Sequence, residues 1–212
     1  MLKIEILEKK YGTSVVLENI TLTINKAGVY GLVGKNGQGK TTLFRSVLGL
    51  EKFNGTAELN QEKTSLQKIA WCPAEPLVYD ELTAAEFYSF YRELLNLENT
   101  KIDYLFELPK DKLIREFSTG MKKKVFINAV FQKEYAAYFL DEPFNGLDIE
   151  SNYILMKKIL QLAENSIVII SSHIIDVLYQ HCEKIFVVND KQLLEFLPQD
   201  YNQIQNTLFL KK

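Results

Sequence analysis

The sequence predicts a single α/β domain with a mainly parallel sheet, an antiparallel β layer in its N-terminal part and a helical insertion. Three apolar runs, at 29–33, 137–140 and 166–170, are each followed by glycine or polar residues, which is typical of buried parallel strands. Alternating apolar and polar residues in 2–7 and 20–24 predict antiparallel strands instead. The chain is therefore expected to place a β layer before a core of alternating strands and helices.

Composition and charge narrow the classes of partner. The 212 residues are 47% hydrophobic, enough for a substantial core, and 25 Lys and Arg against 27 Asp and Glu give a formal net charge of −2. No broad basic surface is expected, and hence no nucleic-acid partner. The two cysteines predict neither a metal cluster nor a disulfide framework, and residues 1–5 lack the apolar core of a signal peptide, so we expect a cytoplasmic location. No apolar run reaches about 18 residues, so the chain itself is not expected to span a membrane.

The first segment of the chain is expected to form the β layer and to carry an exposed aromatic residue. Strands are predicted at 2–7, 15–17 and 20–24, with a polar turn over 9–14. Tyr11 lies in that turn and can stack on a purine base if a nucleotide binds nearby. Packing of Tyr11 on its own sheet is the alternative.

A phosphate-binding motif follows the strand at 29–33. Residues 34–42 are GKNGQGKTT, which fits the pattern G-x-x-x-x-G-K-[ST], and helical periodicity begins directly after it. The glycines permit a tight backbone whose N–H groups surround a phosphate at the start of a helix. Lys40 is then expected to reach the β and γ oxygens, and Thr41 to ligate Mg²⁺. A glycine-rich turn that only joins a strand to a helix is the alternative.

A mostly helical insertion is predicted at about 82–117. Thr83 and Glu86 have the spacing of a capping box. Apolar residues then recur at helical spacing: Phe87, Phe90, Tyr91 and Leu94. This stripe is assigned to the core of the insertion in preference to a cofactor site. A shorter helix is predicted over 103–108.

A helix with a polar N-terminus is predicted after the insertion. The hydroxyl of Ser118 and the free N–H groups near Gly120 are suited to an anion, although Ser118 as an ordinary N-cap explains the same residues. Lys122, Lys123 and Lys124 follow on this helix. They are assigned to a solvated face in preference to a nucleic-acid patch.

Two carboxylates and a histidine follow the buried strands, at the edge where ligands bind in open α/β sheets. Asp141 and Glu142 come after the run 137–140, and His173 comes after the run 166–170. Adjacent residues of an extended segment point in different directions, so Asp141 can serve Mg²⁺ while Glu142 faces an attacking water. His173 is placed to touch a γ-phosphate. A pair of surface acids in a turn is the alternative for Asp141 and Glu142.

The remaining elements complete one domain. Further strands are predicted at 55–59, 69–72, 184–188 and 193–196. Asp148 can cap a helix, and a second helical pattern spans 174–182. The core is assigned to 1–81 and 118–212, and the helical subdomain to about 82–117.

Together these residues resemble the nucleotide-binding domain of ATP-binding cassette (ABC) proteins over nearly the whole chain. The resemblance implies a P-loop NTPase core of the ABC ATPase type. The matching segments are Tyr11 as the adenine-stacking aromatic, 34–42 as the P-loop, 118–121 as a signature of the form found in ABC-2 exporters, Asp141 with Glu142 as the Walker B pair, 145–148 as the D-loop and His173 as the switch histidine.

The resemblance implies that the chain binds and hydrolyses ATP with Mg²⁺. It implies catalytic roles for Glu142, His173 and Lys40, and metal binding by Thr41 and Asp141. The residues implied in nucleotide binding are Tyr11, Val16, Gly34, Asn36, Gly37, Gly39, Lys40, Thr41, Thr42, Ser118 and Gly120.

The resemblance also implies two kinds of protein partner. In the family, the signature of one subunit closes on the γ-phosphate held by another, so a homodimer or heterodimer of ATPase subunits is expected. A transmembrane permease subunit is expected to hold the chain peripherally at the cytoplasmic face of the membrane. We predict that this subunit docks on residues 74–97, where Leu77, Tyr79 and Tyr88 have no assigned core face.

Departures from the family pattern keep other functions open. Ala74 stands where the family has a glutamine that contacts Mg²⁺ and senses the membrane partner, and Ile149 replaces a common proline. Glu75 can substitute for the missing glutamine. A weakly hydrolysing nucleotide-dependent regulator is therefore one alternative, and a soluble ABC-type ATPase not tied to transport is another. The single cassette and the lack of sustained heptads favour the transporter subunit.

Overall fold

In the computed structural model, which describes residues 1–97, 103–173 and 175–209, the chain forms two β-sheets with helices packed against them. The strands are β1 Leu2–Tyr11, β2 Ser14–Ile24, β3 Gly28–Val33, β4 Asn54–Leu59, β5 Glu62–Lys63, β6 Ile69–Cys72, β7 Ala137–Asp141, β8 Ile167–Ser171, β9 Lys184–Asn189 and β10 Gln192–Phe196. The helices are α1 Lys40–Val47, α2 Ala84–Leu94, α3 Thr119–Val130, α4 Ile149–Ala163, α5 Ile175–His181 and α6 Ile204–Phe209. None of the helices in these described ranges has the length and apolar character needed to cross a membrane.

The larger sheet is mainly parallel. Among the described residues it has six strands in the order β10-β9-β3-β8-β7-β6, and every neighbouring pair is parallel except β10 with β9. The strands β7 and β8 lie inside it, and all of their side chains are buried. The predicted parallel core is confirmed.

The smaller sheet is the predicted antiparallel layer, with the order β2-β1-β4-β5. Its second strand is longer than expected, because the two strands predicted at 15–17 and 20–24 form β2 without a break. Asn19 lies between them with a φ of 52°, a left-handed conformation that asparagine tolerates, and β2 pairs with β1 on both sides of it. The turn is correspondingly short, since Tyr11 already pairs with Ser14.

Apolar clusters cover both faces of the larger sheet. Alternate side chains of a strand point to opposite faces, so Phe139 joins the cluster shared with the β layer and α1, whereas Tyr138 and Leu140 join the cluster shared with the other helices. The rings of Phe44 in α1 and Phe139 stack with centroids 4.9 Å apart. The two clusters fix the carboxyl ends of the parallel strands, where the predicted site lies.

Helix starts agree with the predicted caps. The Thr83 side chain accepts a hydrogen bond from the Glu86 N–H at 3.2 Å, and the Glu86 carboxylate accepts one from the Thr83 N–H at 2.7 Å, which completes the capping box. Ser118 caps α3 and Asp148 caps α4, each accepting from the N–H three residues further on. The caps at Ser118 and Asp148 fix where α3 and α4 begin, next to the predicted signature and D-loop.

The buried face of α2 differs from the predicted one. Ala84, Phe87 and Tyr88 are buried, whereas Phe90 and Leu94 are exposed. Residues 84, 87, 88 and 91 also recur at helical spacing, so aromatic residues on both sides made the buried face ambiguous from the sequence. The Tyr88 hydroxyl accepts a hydrogen bond from the Asn128 amide at 3.0 Å, which places this side in the core. The assignment of Tyr88 to a docking surface is therefore wrong.

The helix predicted over 103–108 does not form. The Phe106 N–H donates to the Asn128 side chain at 2.9 Å, and the Phe106 carbonyl accepts from the same side chain at 2.8 Å, so a side chain replaces the helical hydrogen bonds. Pro109 also disfavours helical backbone just before it. The described part of the insertion contains α2 and a 3₁₀ turn, Ile114–Glu116, and is less helical than predicted. Residues 98–102 of the insertion, and Ile174 at the start of the predicted pattern 174–182, lie outside the described residues.

Candidate nucleotide-binding site

The loop between β3 and α1 has the backbone that a phosphate-binding loop needs. Gly39 caps α1 with a φ of 103°, and a Cβ there would lie 3.0 Å from side-chain atoms of Val16 and Leu17. The left-handed conformation therefore favours glycine, and a side chain there would also press on Val16 and Leu17. A Cβ at Gly34 would lie 2.8 Å from the Val188 carbonyl oxygen. The loop is thus held between β2 and β9. Val16 packs against it, and nucleotide binding by Val16 stays a prediction.

Lys40 is buried at the start of α1. Its Nζ donates to the carbonyl oxygens of Gly34 at 2.7 Å and Lys35 at 3.4 Å. Burial lowers the pKa of Lys40, and the nearby carboxylates of Glu142 and Asp141 oppose this shift. A desolvated cation bound to the loop backbone is suited to phosphate oxygens. Three other residues predicted to bind the nucleotide differ in exposure: Asn36 and Gly37 are exposed, and Thr42 is half-buried.

The two predicted metal ligands lie side by side. The Thr41 hydroxyl donates to one carboxylate oxygen of Asp141 at 2.5 Å, and the Ser171 hydroxyl donates to the other. Asp141 is fully buried. Hydroxyl and carboxylate oxygens are the donors that Mg²⁺ prefers. Within the described ranges, no group of three or more His, Cys, Asp or Glu side chains is arranged to hold a metal ion.

Glu142 and His173 are brought together by the ends of β7 and β8. The Glu142 carboxylate lies 2.9 Å from His173 Nδ1, and His173 is more than half exposed. Glu142 has a φ of 46°, and its N–H donates to the carbonyl and hydroxyl oxygens of Ser171 at 3.1 and 2.9 Å. Left-handed backbone at a residue other than glycine is strained and is concentrated at functional sites. The two residues predicted to act on the attacking water are therefore within hydrogen-bonding reach of each other.

Tyr11 lies at the end of β1 with its ring half exposed. Its hydroxyl donates to the Glu51 carboxylate, and Lys9 Nζ lies 4.3 Å from the ring centre. Glu51 also pairs with Lys9 and with Arg45, each at 2.9 Å. These contacts fix the orientation of the ring at the edge of the β layer. Stacking of Tyr11 on a base stays a prediction.

The predicted signature and D-loop are in contact. The Ser118 hydroxyl accepts from the Met121 N–H at 3.3 Å, so it does act as an N-cap. A Cβ at Gly120 would lie only 2.5 Å from the carbonyl oxygen of Gly146. The start of α3 therefore packs directly on the loop that leads from Glu142 to α4.

Lys123 is a functional candidate that the sequence analysis assigned wrongly. It is 3% exposed, and its Nζ donates to the carbonyl oxygens of Glu142 at 2.6 Å, Asn145 at 3.0 Å and Ala74 at 3.4 Å. Burial lowers the pKa of Lys123. The side chain thus crosses the interior of the site and does not belong to a solvated face.

Helical spacing contained the signal for this position. Lys123 precedes Phe126 and Ile127 by three and four residues, and both are buried, so it shares their face of α3. Lys122 and Lys124 are partly exposed. They pair with Asp80 at 2.6 Å and Asp148 at 2.7 Å.

A groove adjoins the nucleotide site beside α2. It has a volume of about 810 Å³, and its lining includes Thr41 and Asp141 as well as Leu77, Tyr79 and Leu94. The last three are 90%, 54% and 61% exposed. This α2 groove therefore connects an exposed apolar surface with the predicted metal ligands.

Comparison with known proteins identifies the family. Residues 17–145, more than half of the chain, match the family model of the ABC transporter. The chain belongs to the ABC transporter family. The lantibiotic transport ATP-binding protein SrtF of Streptococcus pyogenes is 32% identical over 206 residues, covering 92% of this chain and 90% of that protein. The ABC transporter ATP-binding protein YtrB of Bacillus subtilis (strain 168) is 29% identical over 223 residues, covering 97% and 76%.

The fold agrees with this family. A solved structure of the ATP-binding subunit of an ABC transporter superposes with a TM-score of 0.88 at 24% identity, covering 100% of this chain and 95% of the other. Family membership confirms the resemblance and identifies the chain as an ATP-binding subunit of the ABC transporter type, with the ATPase activity of that family. The roles of individual site residues stay predictions.

Proposed function

We propose that this chain is a Mg²⁺-dependent ATPase that powers substrate movement through a separate transmembrane subunit by ATP-driven dimerisation. The observation that carries the proposal is the assembly of three units at one edge of the parallel sheet. These are buried Lys40 on its loop, Thr41 paired with Asp141, and Glu142 facing His173. Together they supply the phosphate-binding, metal-binding and water-activating groups that ATP hydrolysis needs.

The geometry supports a direct attack of water on ATP. Lys40 and the N–H groups of its loop hold the β and γ phosphates in a partly desolvated site. Glu142 accepts a proton from the attacking water. The backbone N–H of His173 donates to that carboxylate at 3.4 Å and orients it, which leaves the single N–H of the neutral ring to donate to a γ-phosphate oxygen. The water oxygen forms a bond to the γ-phosphorus, and the bond from that phosphorus to the β–γ bridging oxygen breaks. ADP and phosphate are the products.

The donor set at Thr41 and Asp141 fits Mg²⁺, which when bound offsets charge on the β and γ oxygens. We expect the purified chain to release phosphate from ATP with Mg²⁺, to stop when EDTA is added and to recover when excess Mg²⁺ is restored. A colorimetric phosphate assay measures this. Tight ATP binding without phosphate release would favour the regulator alternative, to which Ala74 points. Release that continues in EDTA would contradict the metal requirement.

A second ATPase subunit completes the proposed site. Ser118 and Gly120 lie at the N-terminus of α3, and Gly120 packs on the loop that follows Glu142. In the family this segment closes on the γ-phosphate of the opposite subunit, so we propose a head-to-tail dimer with a second copy or a related subunit. The free N–H groups of a helix start favour such an anion. A monomer is then expected to hydrolyse ATP slowly.

The α2 groove is the proposed docking place for the transmembrane subunit. Leu77, Tyr79 and Leu94 supply exposed apolar anchors, and the same groove reaches Thr41 and Asp141. We propose that a short cytoplasmic helix of the transmembrane subunit binds there with its apolar face. Because the groove is continuous with the nucleotide site, its occupant can respond to ATP. This docking would hold the chain at the cytoplasmic face of the membrane.

We expect Leu77→Ser combined with Leu94→Glu to release the chain from membranes that contain its partner. Both side chains are mostly exposed, so the fold is expected to survive, and ATP binding is expected to stay unchanged. Co-sedimentation with membranes and calorimetry with ATP measure the two results. A matched control, Leu7→Ser with Leu66→Glu, changes exposed leucines outside the groove lining and is expected to leave association intact. Persistent association of the groove variant, or a parallel loss of ATP binding, would count against docking at this surface.

A further inference from the structure

We propose that Lys123 is a positioning residue for ATP hydrolysis, whose buried ammonium fixes the backbone that presents Glu142 to the attacking water. The inference rests on the proposed function, because it assigns a role within ATP hydrolysis. Lys123 itself is not expected to contact ATP.

The hydrogen bonds of Lys123 join three loops. An ammonium has three donors, and the three acceptors are carbonyl oxygens of Ala74 after β6, Glu142 after β7 and Asn145 before α4. The bond to Glu142 is the shortest, at 2.6 Å. One side chain thus ties together the end of the α2 groove, the proposed catalytic base and the loop that packs on Gly120.

The backbone conformation of Glu142 explains why the hydrogen bonds of Lys123 are needed. A φ of 46° is unfavourable for glutamate and persists only where the surroundings hold it. Ser171 holds the N–H of Glu142, and Lys123 holds its carbonyl oxygen, so the residue is fixed on both sides. Without Lys123, Glu142 can relax toward ordinary backbone angles, which would turn its carboxylate away from His173.

A second contact supports the same role. The Asn145 side-chain amide lies 3.5 Å from the Glu142 carboxylate, and Lys123 bonds to the Asn145 carbonyl at 3.0 Å. Lys123 therefore positions both the base and a polar neighbour of that base. A buried ammonium whose close partners are neutral carbonyls is costly to desolvate. The charge-assisted hydrogen bonds to the three carbonyls offset part of that cost and also hold the strained backbone of Glu142.

The test compares Lys123→Met with Lys123→Gln. Methionine keeps most of the length of the side chain and removes all donors, whereas glutamine keeps two N–H donors. We expect Lys123→Met to lower kcat on the order of 10- to 100-fold, because small displacements of a catalytic group cost that much, and to change the ATP dissociation constant less than threefold. Lys123→Gln should recover part of kcat. The neighbouring Lys122→Met, which removes a surface pair with Asp80, is the control and should keep wild-type kcat.

The measurements are steady-state phosphate release and ATP binding by calorimetry, both made well below the unfolding temperature, and, separately, the melting temperature of each variant. A merely structural role would lower the melting temperature and leave kcat per folded molecule unchanged, which would overturn the inference. Equal loss in the Met and Gln variants, or a loss of ATP affinity that matches the loss of kcat, would overturn it as well. If Lys123→Met and wild type release phosphate equally fast, only this inference fails. If the wild type binds ATP and releases no phosphate, the proposed hydrolysis fails first and the role of Lys123 fails with it.

Discussion

Lys40→Ala is expected to abolish both ATP binding and ATP turnover. The Lys40 ammonium is buried and bound to a carbonyl oxygen of its own loop, so we expect it to meet the phosphates of ATP in a partly desolvated place. Loss of that charge should weaken ATP binding roughly a hundredfold or more. Isothermal titration with ATP and Mg²⁺ measures the effect.

A matched control removes a lysine away from the site. Lys63→Ala changes an exposed residue of β5 and is expected to keep wild-type affinity. Unchanged ATP affinity in Lys40→Ala would refute the assignment of residues 34–42 as the phosphate-binding loop. A loss of affinity shared by both variants would assign the effect to net charge.

Glu142→Gln is expected to keep ATP bound and to block its hydrolysis. The amide has the shape of the carboxylate and still hydrogen-bonds water, but it is a far weaker base, so the rate should fall about a hundredfold or more. Phosphate release measures the rate. Because the bound ATP is not hydrolysed, two copies that have paired around it should stay together. The variant is therefore expected to elute from gel filtration as a dimer in the presence of ATP.

The control for this variant is Glu150→Gln, which changes an exposed glutamate in the first turn of α4. It should hydrolyse ATP at the wild-type rate. Glu142→Gln at the wild-type rate would remove Glu142 from the role of base, and His173 or a water chain would have to supply it.

The phosphate-binding loop could be predicted because its chemistry requires fixed spacing along one stretch of chain. Gly34, Lys40 and Thr41 are contiguous with a strand and a helix, so local patterns suffice. The pairing of Thr41 with Asp141 spans 100 residues and still followed from topology. The carboxyl ends of parallel strands meet at one edge, which brings Asp141, the last residue of β7, to Thr41 in the first turn of the helix that follows β3.

The contacts of Lys123 could not be predicted because their acceptors are backbone carbonyls. Every residue offers a carbonyl, so Ala74, Glu142 and Asn145 show no residue pattern that would identify them as partners. The link between Tyr11 and Glu51 likewise depends on tertiary packing of β1 against the segment after α1.

The insertion was predicted less well for a related reason. Aromatic residues occur on both sides of α2. The buried side is the one whose Tyr88 binds Asn128 and stacks on Tyr104. The same Asn128 binds both backbone groups of Phe106 and replaces the predicted helix there. One polar side chain on α3 thus determines the structure of a segment whose own sequence favoured another conformation.

We propose that one site at the carboxyl edge of the parallel sheet binds ATP through Lys40 and hydrolyses it through Glu142. Single-turnover quench experiments with γ-labelled ATP and Mg²⁺, on wild type and both variants in parallel, test it most directly. We expect ATP binding with phosphate release in the wild type, neither binding nor release in Lys40→Ala, and binding without release in Glu142→Gln. Equal phosphate release by wild type and Glu142→Gln, or labelled ATP bound equally well by Lys40→Ala, would contradict it.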